Sequence, residues 1–286
     1  MTLYTATGLS VLTSAAFTVG MYLMKREAER LPSLGGGWRL AAWWAFMRDA
    51  WWLLGLGLQI VGFALYLFIL HDAPLSIVHT ALNGGIALFV VLAVVGLGER
   101  VRTVEWLGVS LIVVALIALS WSLSEAPEGQ SSGHGVVAFS CVLLGLAATA
   151  LAADRAPRRA VGLSVASGLA LGLGSVYAKA MAIAPSVGAA AHSPYLMLTI
   201  GANLIGFVLM QASFQAGRGV VVMPLFSGIS NLVPIVGGLV VFDEPLPAEG
   251  IATLLRPLAF GLAIVGGALL AGFGARRAAS MPDGEA

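Results

Sequence analysis

Nine stretches of this chain are long and apolar enough to cross a lipid bilayer as helices. They run over about 4–24, 51–70, 74–97, 104–123, 135–153, 161–184, 195–216, 219–242 and 256–275. A membrane-spanning helix needs about 20 mostly apolar residues, and a soluble globule of 286 residues has no interior large enough to hide nine of them. Charged residues make up only 10% of the chain, against about 25% in a soluble domain. Each stretch is continuously apolar rather than alternating, which favours helices over the strands of a barrel. The expected fold class is therefore an all-α polytopic membrane protein with nine transmembrane helices.

Loop cations orient such a chain, because Lys and Arg accumulate on the cytoplasmic side. Of the 15 Lys and Arg residues, only Lys179 and Arg256 fall on the side opposite to the rest. The expected topology has the N-terminus outside and the C-terminus in the cytoplasm, in a cell (plasma) membrane. The first eight residues carry no Lys or Arg, unlike the n-region of a cleaved signal peptide; a retained first helix is expected. A net charge of +1 gives no nucleic-acid footprint, and the single Cys141 allows neither an intramolecular disulfide nor a cysteine metal cluster. No cofactor or metal site is read from the sequence. The expected partners are the lipid bilayer and a small-molecule or ion substrate, and a homodimer stays open. Residues 25–50 mix cations with Trp and Phe, as an amphipathic segment along the inner interface would.

The chain also repeats itself. "GMYLMK" (20–25) aligns with "GSVYAK" (174–179), and "GFALYL" (62–67) with "GFVLMQ" (206–211). "APLSIVHTALNGG", leading to "GLGERV", aligns with "MPLFSGISNLVPIVGG", leading to "VFDEPL". Helices 1–4 and 6–9 then form two four-helix repeats, and the odd helix 5 between them inverts the second. Such inverted repeats are typical of secondary transporters, whose sites lie between the repeats near mid-membrane. The expected organisation is a first repeat over 1–123, a linker with helix 5 over 124–160, an inverted repeat over 161–276 and a disordered cytoplasmic tail over 277–286.

At these residues the chain resembles the drug/metabolite transporter superfamily. "GER" at 98–100 with "EWLG" at 105–108 resembles the EamA-type halves, and each four-helix unit resembles a small multidrug resistance protein. Nine helices with an outside N-terminus and "GFVLMQASFQAG" (206–217) resemble the NIPA-type magnesium transporter branch. The small multidrug resistance family carries an essential glutamate in helix 1, eight residues before the matching lysine. Phe17 stands there in this chain, so exchange through that carboxylate is not implied.

Ionisable groups inside a membrane cost about 2.5–3.5 kcal/mol on insertion scales, so each is a candidate for function. No Asp or Glu falls in the middle of any of the nine stretches. Lys25 and Lys179 take matching repeat positions near opposite faces, either snorkelling to the interface or flanking a central cavity and meeting anionic groups. His79 and Asn83 are four apart and share a helix face. Ser227, Ser230 and Asn231 cluster between Pro224 and Pro234; proline removes a backbone donor, so this helix is expected to be kinked or broken. Tyr177 and Gln211 complete the candidate substrate-binding set. Glu99 and Glu244 sit at helix ends, where capping or pairing explains them.

The sequence therefore points to a secondary transporter of small solutes. A magnesium or divalent-cation transporter is the alternative, and a non-transporting accessory or lipid-handling subunit a third. No nucleophile elbow, H-E-x-x-H or phosphate loop supports an enzyme.

Overall fold

A computed structural model describes residues 3–34, 40–70, 75–122, 133–152, 159–182, 188–189, 192–243 and 251–279. Ten helices account for nearly all of them: α1 (Leu3–Ala28), α2 (Leu40–Phe46), α3 (Ala50–Leu70), α4 (Leu75–Gly96), α5 (Thr103–Ser122), α6 (Gly133–Ala152), α7 (Arg159–Ala182), α8 (Pro194–Ala216), α9 (Gly219–Val241) and α10 (Ile251–Ala279). No strand occurs among the described residues. Each apolar stretch of the sequence falls on one helix of 20 residues or more. Four of these, α6 to α9, are by length and composition able to cross a membrane, and α3, α4, α5 and α10 carry shorter apolar runs. The linker 124–132 and the tail beyond Ala279 lie outside the described residues.

The helices form a bundle whose outer surface is aliphatic. Val95, Leu254, Ile264 and Val240 are each at least 66% exposed, which water would penalise and lipid does not. The fold is that of a multi-pass membrane protein. In lipid, helices gain little from the hydrophobic effect on meeting each other, so small residues that allow close packing carry the association. A Cβ on Gly20 would sit 2.7 Å from the Gly55 carbonyl oxygen, joining α1 to α3. A Cβ on Gly266 would sit 2.7 Å from the Gly108 oxygen, joining α10 to α5. Alanine at either place forces backbone apart.

Helix pairings recur in the same order along the chain. α1 packs on α3 and α4, as α7 packs on α8 and α9; α5 packs on α4 and α10 on α9, and α5 and α10 face each other. Individual contacts recur with them. Gly62 of α3 meets the Phe17 ring of α1, and Gly206 of α8 meets Leu171 of α7. Gln59 of α3 lies against Gly20, and Asn203 of α8 against Gly174. α4 and α9 also end alike. Gly98, two residues past α4, has φ +69°, and Asp243, two residues past α9, has φ 49°. Glycine enters this left-handed region freely, whereas most other residues do not.

The expected alternative of a broken α9 is excluded: it is a continuous α-helix from Gly219 to Val241 with Pro224 and Pro234 inside it. α4 likewise runs unbroken through Asn83, Gly84 and Gly85. Packing holds α9 in shape: every residue from Gly219 to Gly228 is buried, and Ile229 and Val233 fill the space that Gly168 and Gly172 of α7 leave. The segment after α1, expected to be amphipathic, has one exposed and one buried face. α2 exposes Trp44 but buries Phe46 completely, and Leu34 donates its N–H to Gln215 of α8.

Candidate functional site

The candidate residues do not converge on one cluster; they divide between the ends and the middle of the bundle. At the end reached by the C-termini of α1 and α8, Lys25 is 1% exposed. Its ammonium donates to Glu29 Oε1 at 2.5 Å and to the carbonyl oxygens of Phe214 and Gly217 at 2.6 Å each. An ammonium has three protons, and all three are used. The last carbonyls of a helix lack partners within it and carry the negative end of its dipole. Lys25 therefore caps α8, and neither snorkels nor faces an open cavity.

Three further contacts close this end. The Glu99 carboxylate accepts from the backbone N–H groups of Gly219 (2.6 Å) and Val220 (3.0 Å), capping the N-terminus of α9. This is the end-capping role expected of Glu99, made across the bundle rather than within its own helix. Arg218 donates to Glu105 Oε1 at 2.5 Å and to the carbonyl of Arg100. Glu105, 2% exposed, also accepts from the N–H of Arg102 and so caps α5. Gln215 donates to the carbonyls of Ala28, Leu31 and Pro32. The "GER" and "EWLG" residues thus bind α4 and α5 to the α8–α9 junction.

Gln211 lies one turn of α8 further in and is fully buried. Its Oε1 accepts from Trp52 Nε1 at 3.2 Å, and its Nε2 has no hydrogen-bond partner among the described residues.

The opposite end is built differently. Lys179, near the C-terminus of α7, is half-buried and lies 4.8 Å from the centroid of the Phe242 ring, a cation–π distance. Tyr177 is buried; its hydroxyl donates to Ser140 of α6 at 2.8 Å, and its ring stacks on Tyr195.

In the middle, Asn83 of α4 donates to the Leu116 carbonyl of α5 at 3.2 Å. The Ser227 carbonyl of α9 accepts from Ser230 Oγ (3.1 Å) and Asn231 Nδ2 (2.8 Å). Ser227 is buried and the other two half-buried. His79 belongs to α4, and its side chain lies outside the described residues.

A set of hydroxyls escaped the sequence reading. Ser10, Thr13, Ser14 and Thr18 of α1 are all buried, and Thr18 donates to the Gly85 carbonyl of α4. Their spacing of three and four residues on one helix face was a usable signal. The repeat register sets Ser10 and Thr13 against Ser164 and Ser167 of α7, both fully buried. The polar middle is thus hydroxyl, amide and carbonyl. Among the described residues no group of three or more His, Cys, Asp or Glu could hold a metal ion. A cavity of about 260 Å³ between α5, α7, α9 and α10 is lined by apolar residues such as Ile112, Leu225 and Ile229, and by none of the candidates.

No family model and no solved structure matches the chain. Two curated proteins are similar to it. The probable magnesium transporter NIPA9 of Arabidopsis thaliana is 24% identical over 278 residues, 92% of this chain and 80% of that protein. The probable 4-amino-4-deoxy-L-arabinose-phosphoundecaprenol flippase subunit ArnE of Pectobacterium atrosepticum is 31% identical over 99 residues, 35% of this chain and 83% of that protein. The first likeness runs nearly end to end, and the second is the length of one four-helix unit. The chain belongs to the drug/metabolite transporter superfamily, with a NIPA-like relationship.

Proposed function

We propose that the protein is a secondary transporter of small solutes working by alternating access between two inverted four-helix repeats. Its nine spans set the N-terminus outside and the Lys25 end in the cytoplasm of a cell membrane. The observation that carries this proposal is the recurrence of helix pairings between the two halves, α1 on α3 and α4 as α7 on α8 and α9. The Lys25 end is closed by four sets of polar contacts between the halves. The recurring contacts of Gly62 and Gly206, and of Gln59 and Asn203, support the repeat. The solute site lies between α4 and α9, lined by Asn83, Ser227, Ser230 and Asn231, with His79 one turn before Asn83. Tyr177 and Lys179 stand toward the end opposite Lys25, and Lys179 favours anionic or zwitterionic solutes. Lys25 and Gln211 belong to the closed end. Transport of this kind needs no enzymatic step.

A thermal-shift screen of the purified protein against metabolites, cations and lipophilic drugs tests this. A stabilising solute is expected, and Lys179→Ala and Asn231→Ala should each abolish its shift while still inserting and purifying. Wild-type shifts in both variants would remove the site.

The similarity to NIPA9 over most of the chain favours magnesium as a second reading. Mg²⁺ demands near-octahedral oxygen ligands and sheds water reluctantly. A middle of hydroxyls, amides and carbonyls would have to pass it partly hydrated. Mg²⁺ uptake into proteoliposomes supports this reading, and no uptake at any gradient removes it. The partial likeness to a flippase subunit supports a lipid-handling role less, because it covers one repeat's length.

A further inference from the structure

We propose that the hollow between α5, α7, α9 and α10 is a binding site for one acyl chain of a bilayer phospholipid. Its position follows from how these helices pack. α5 lies along α10 and α7 along α9, but α7 and α10 barely touch. Where they part, about 260 Å³ is left, walled by Ile112 of α5, Val165 of α7, Leu225 and Ile229 of α9 and Ala263 of α10. Glycines help keep it open. A Cβ on Gly267 would come no nearer than 3.8 Å to the Leu225 side chain, and one on Gly228 no nearer than 3.4 Å to Ile112. Gly108 and Gly266, by contrast, bring the backbones of α5 and α10 together.

Chemistry, size, depth and outlet together select the occupant. Every lining residue is apolar, so a polar solute would lose its hydrogen bonds on entering. An apolar cavity of about 150 Å³ already stays dry and takes benzene, and this one is larger. Left empty, its walls would forgo the contacts that close packing supplies. Ile112 stands at the centre of α5, and the lining residues of α9 and α10 lie on their central turns. Lipid headgroups lie outside a hydrocarbon core about 30 Å thick, so chains alone reach this depth. From Ala263 to Ala271 the lining follows α10 for about 12 Å, in the direction that acyl chains run. Ile264 at its edge is 67% exposed and Ala268 is exposed too, so the hollow opens sideways into the bilayer. A chain bound there fills the gap between α7 and α10 and touches α5, joining the first half of the molecule to the second. The inference rests on the membrane fold and not on the transport reading above.

Native mass spectrometry of the purified full chain tests it, in a steroid detergent that has no alkyl chain of its own. Wild type is expected to keep one phospholipid per chain through delipidation, and added dioleoyl phosphatidylcholine to raise its melting temperature. Glycerophosphocholine, the headgroup alone, is expected to leave that temperature unchanged. Gly267→Leu and Ala271→Leu each fill the hollow from α10; both should lose the adduct and the lipid-dependent shift while still melting cooperatively. Gly261→Leu, on α10 outside the hollow where a Cβ meets nothing within 4 Å, should keep both. An adduct retained equally by the filled variants, or lost equally by Gly261→Leu, overturns the site, as does a shift produced by glycerophosphocholine. Should neither filled variant insert, wild type decides: one phospholipid retained supports the site, and one that washes away with the rest overturns it.

Discussion

Lys25 and Lys179 stand at matched places in two similar segments, "GMYLMK" and "GSVYAK", yet their surroundings differ. Lys25 is 1% exposed with three oxygen acceptors; Lys179 is half-buried against an aromatic face. Around Lys25 the backbone ends of α8 and α9 are capped by side chains from the other half of the chain, and that of α5 by its own Glu105. Around Lys179, Tyr177 and Ser140 tie α7 to α6. The difference teaches that a repeated sequence does not impose a repeated environment.

Four substitutions sharpen or break this contrast, in descending order of effect. Arg218→Ala should cost most, because it removes the ionic partner of the buried Glu105 carboxylate. Removing one partner of a buried ion pair costs about 3–5 kcal/mol, visible as a large loss of melting temperature in detergent. Next comes Lys25→Met, which removes charge-assisted bonds to two carbonyls and should cost about 2–3 kcal/mol, read as a lower melting temperature in detergent. Glu99→Gln keeps one acceptor for the N-terminus of α9 but loses the charge, an expected cost of about 1 kcal/mol. Tyr177→Phe should be the mildest, with the lost bond to Ser140 worth about 0.5–1.5 kcal/mol and no opening of the Lys25 end.

Much of the fold was legible because membrane helices announce themselves by length and hydropathy. The nine apolar stretches fall on helices whose ends differ from the expected ones by a few residues, and Glu99 caps a helix as its position suggested. Lys25 was less legible. Sequence placed it near an interface, but whether it snorkels or binds depends on where the C-terminus of α8 arrives, a contact 189 residues away. Pro224 and Pro234 leave α9 unbroken: proline's local cost is real, but every residue from Gly219 to Gly228 is buried and packing holds the helix together. The hydroxyl stripe of Ser10, Thr13, Ser14 and Thr18 was missed because Ser and Thr look unremarkable in an apolar run until a neighbour such as Gly85 defines the face they share.

The central claim is that the middle of α9 opens toward the Lys179 end and is sealed from the Lys25 end. Cysteine accessibility measures this most directly. Asn231→Cys in a Cys141→Ala background would be exposed to a membrane-impermeant maleimide from one side of oriented vesicles at a time. Labelling from the Lys179 side with protection from the Lys25 side is the expected result. Labelling from the Lys25 side alone, or from neither side, would contradict the account.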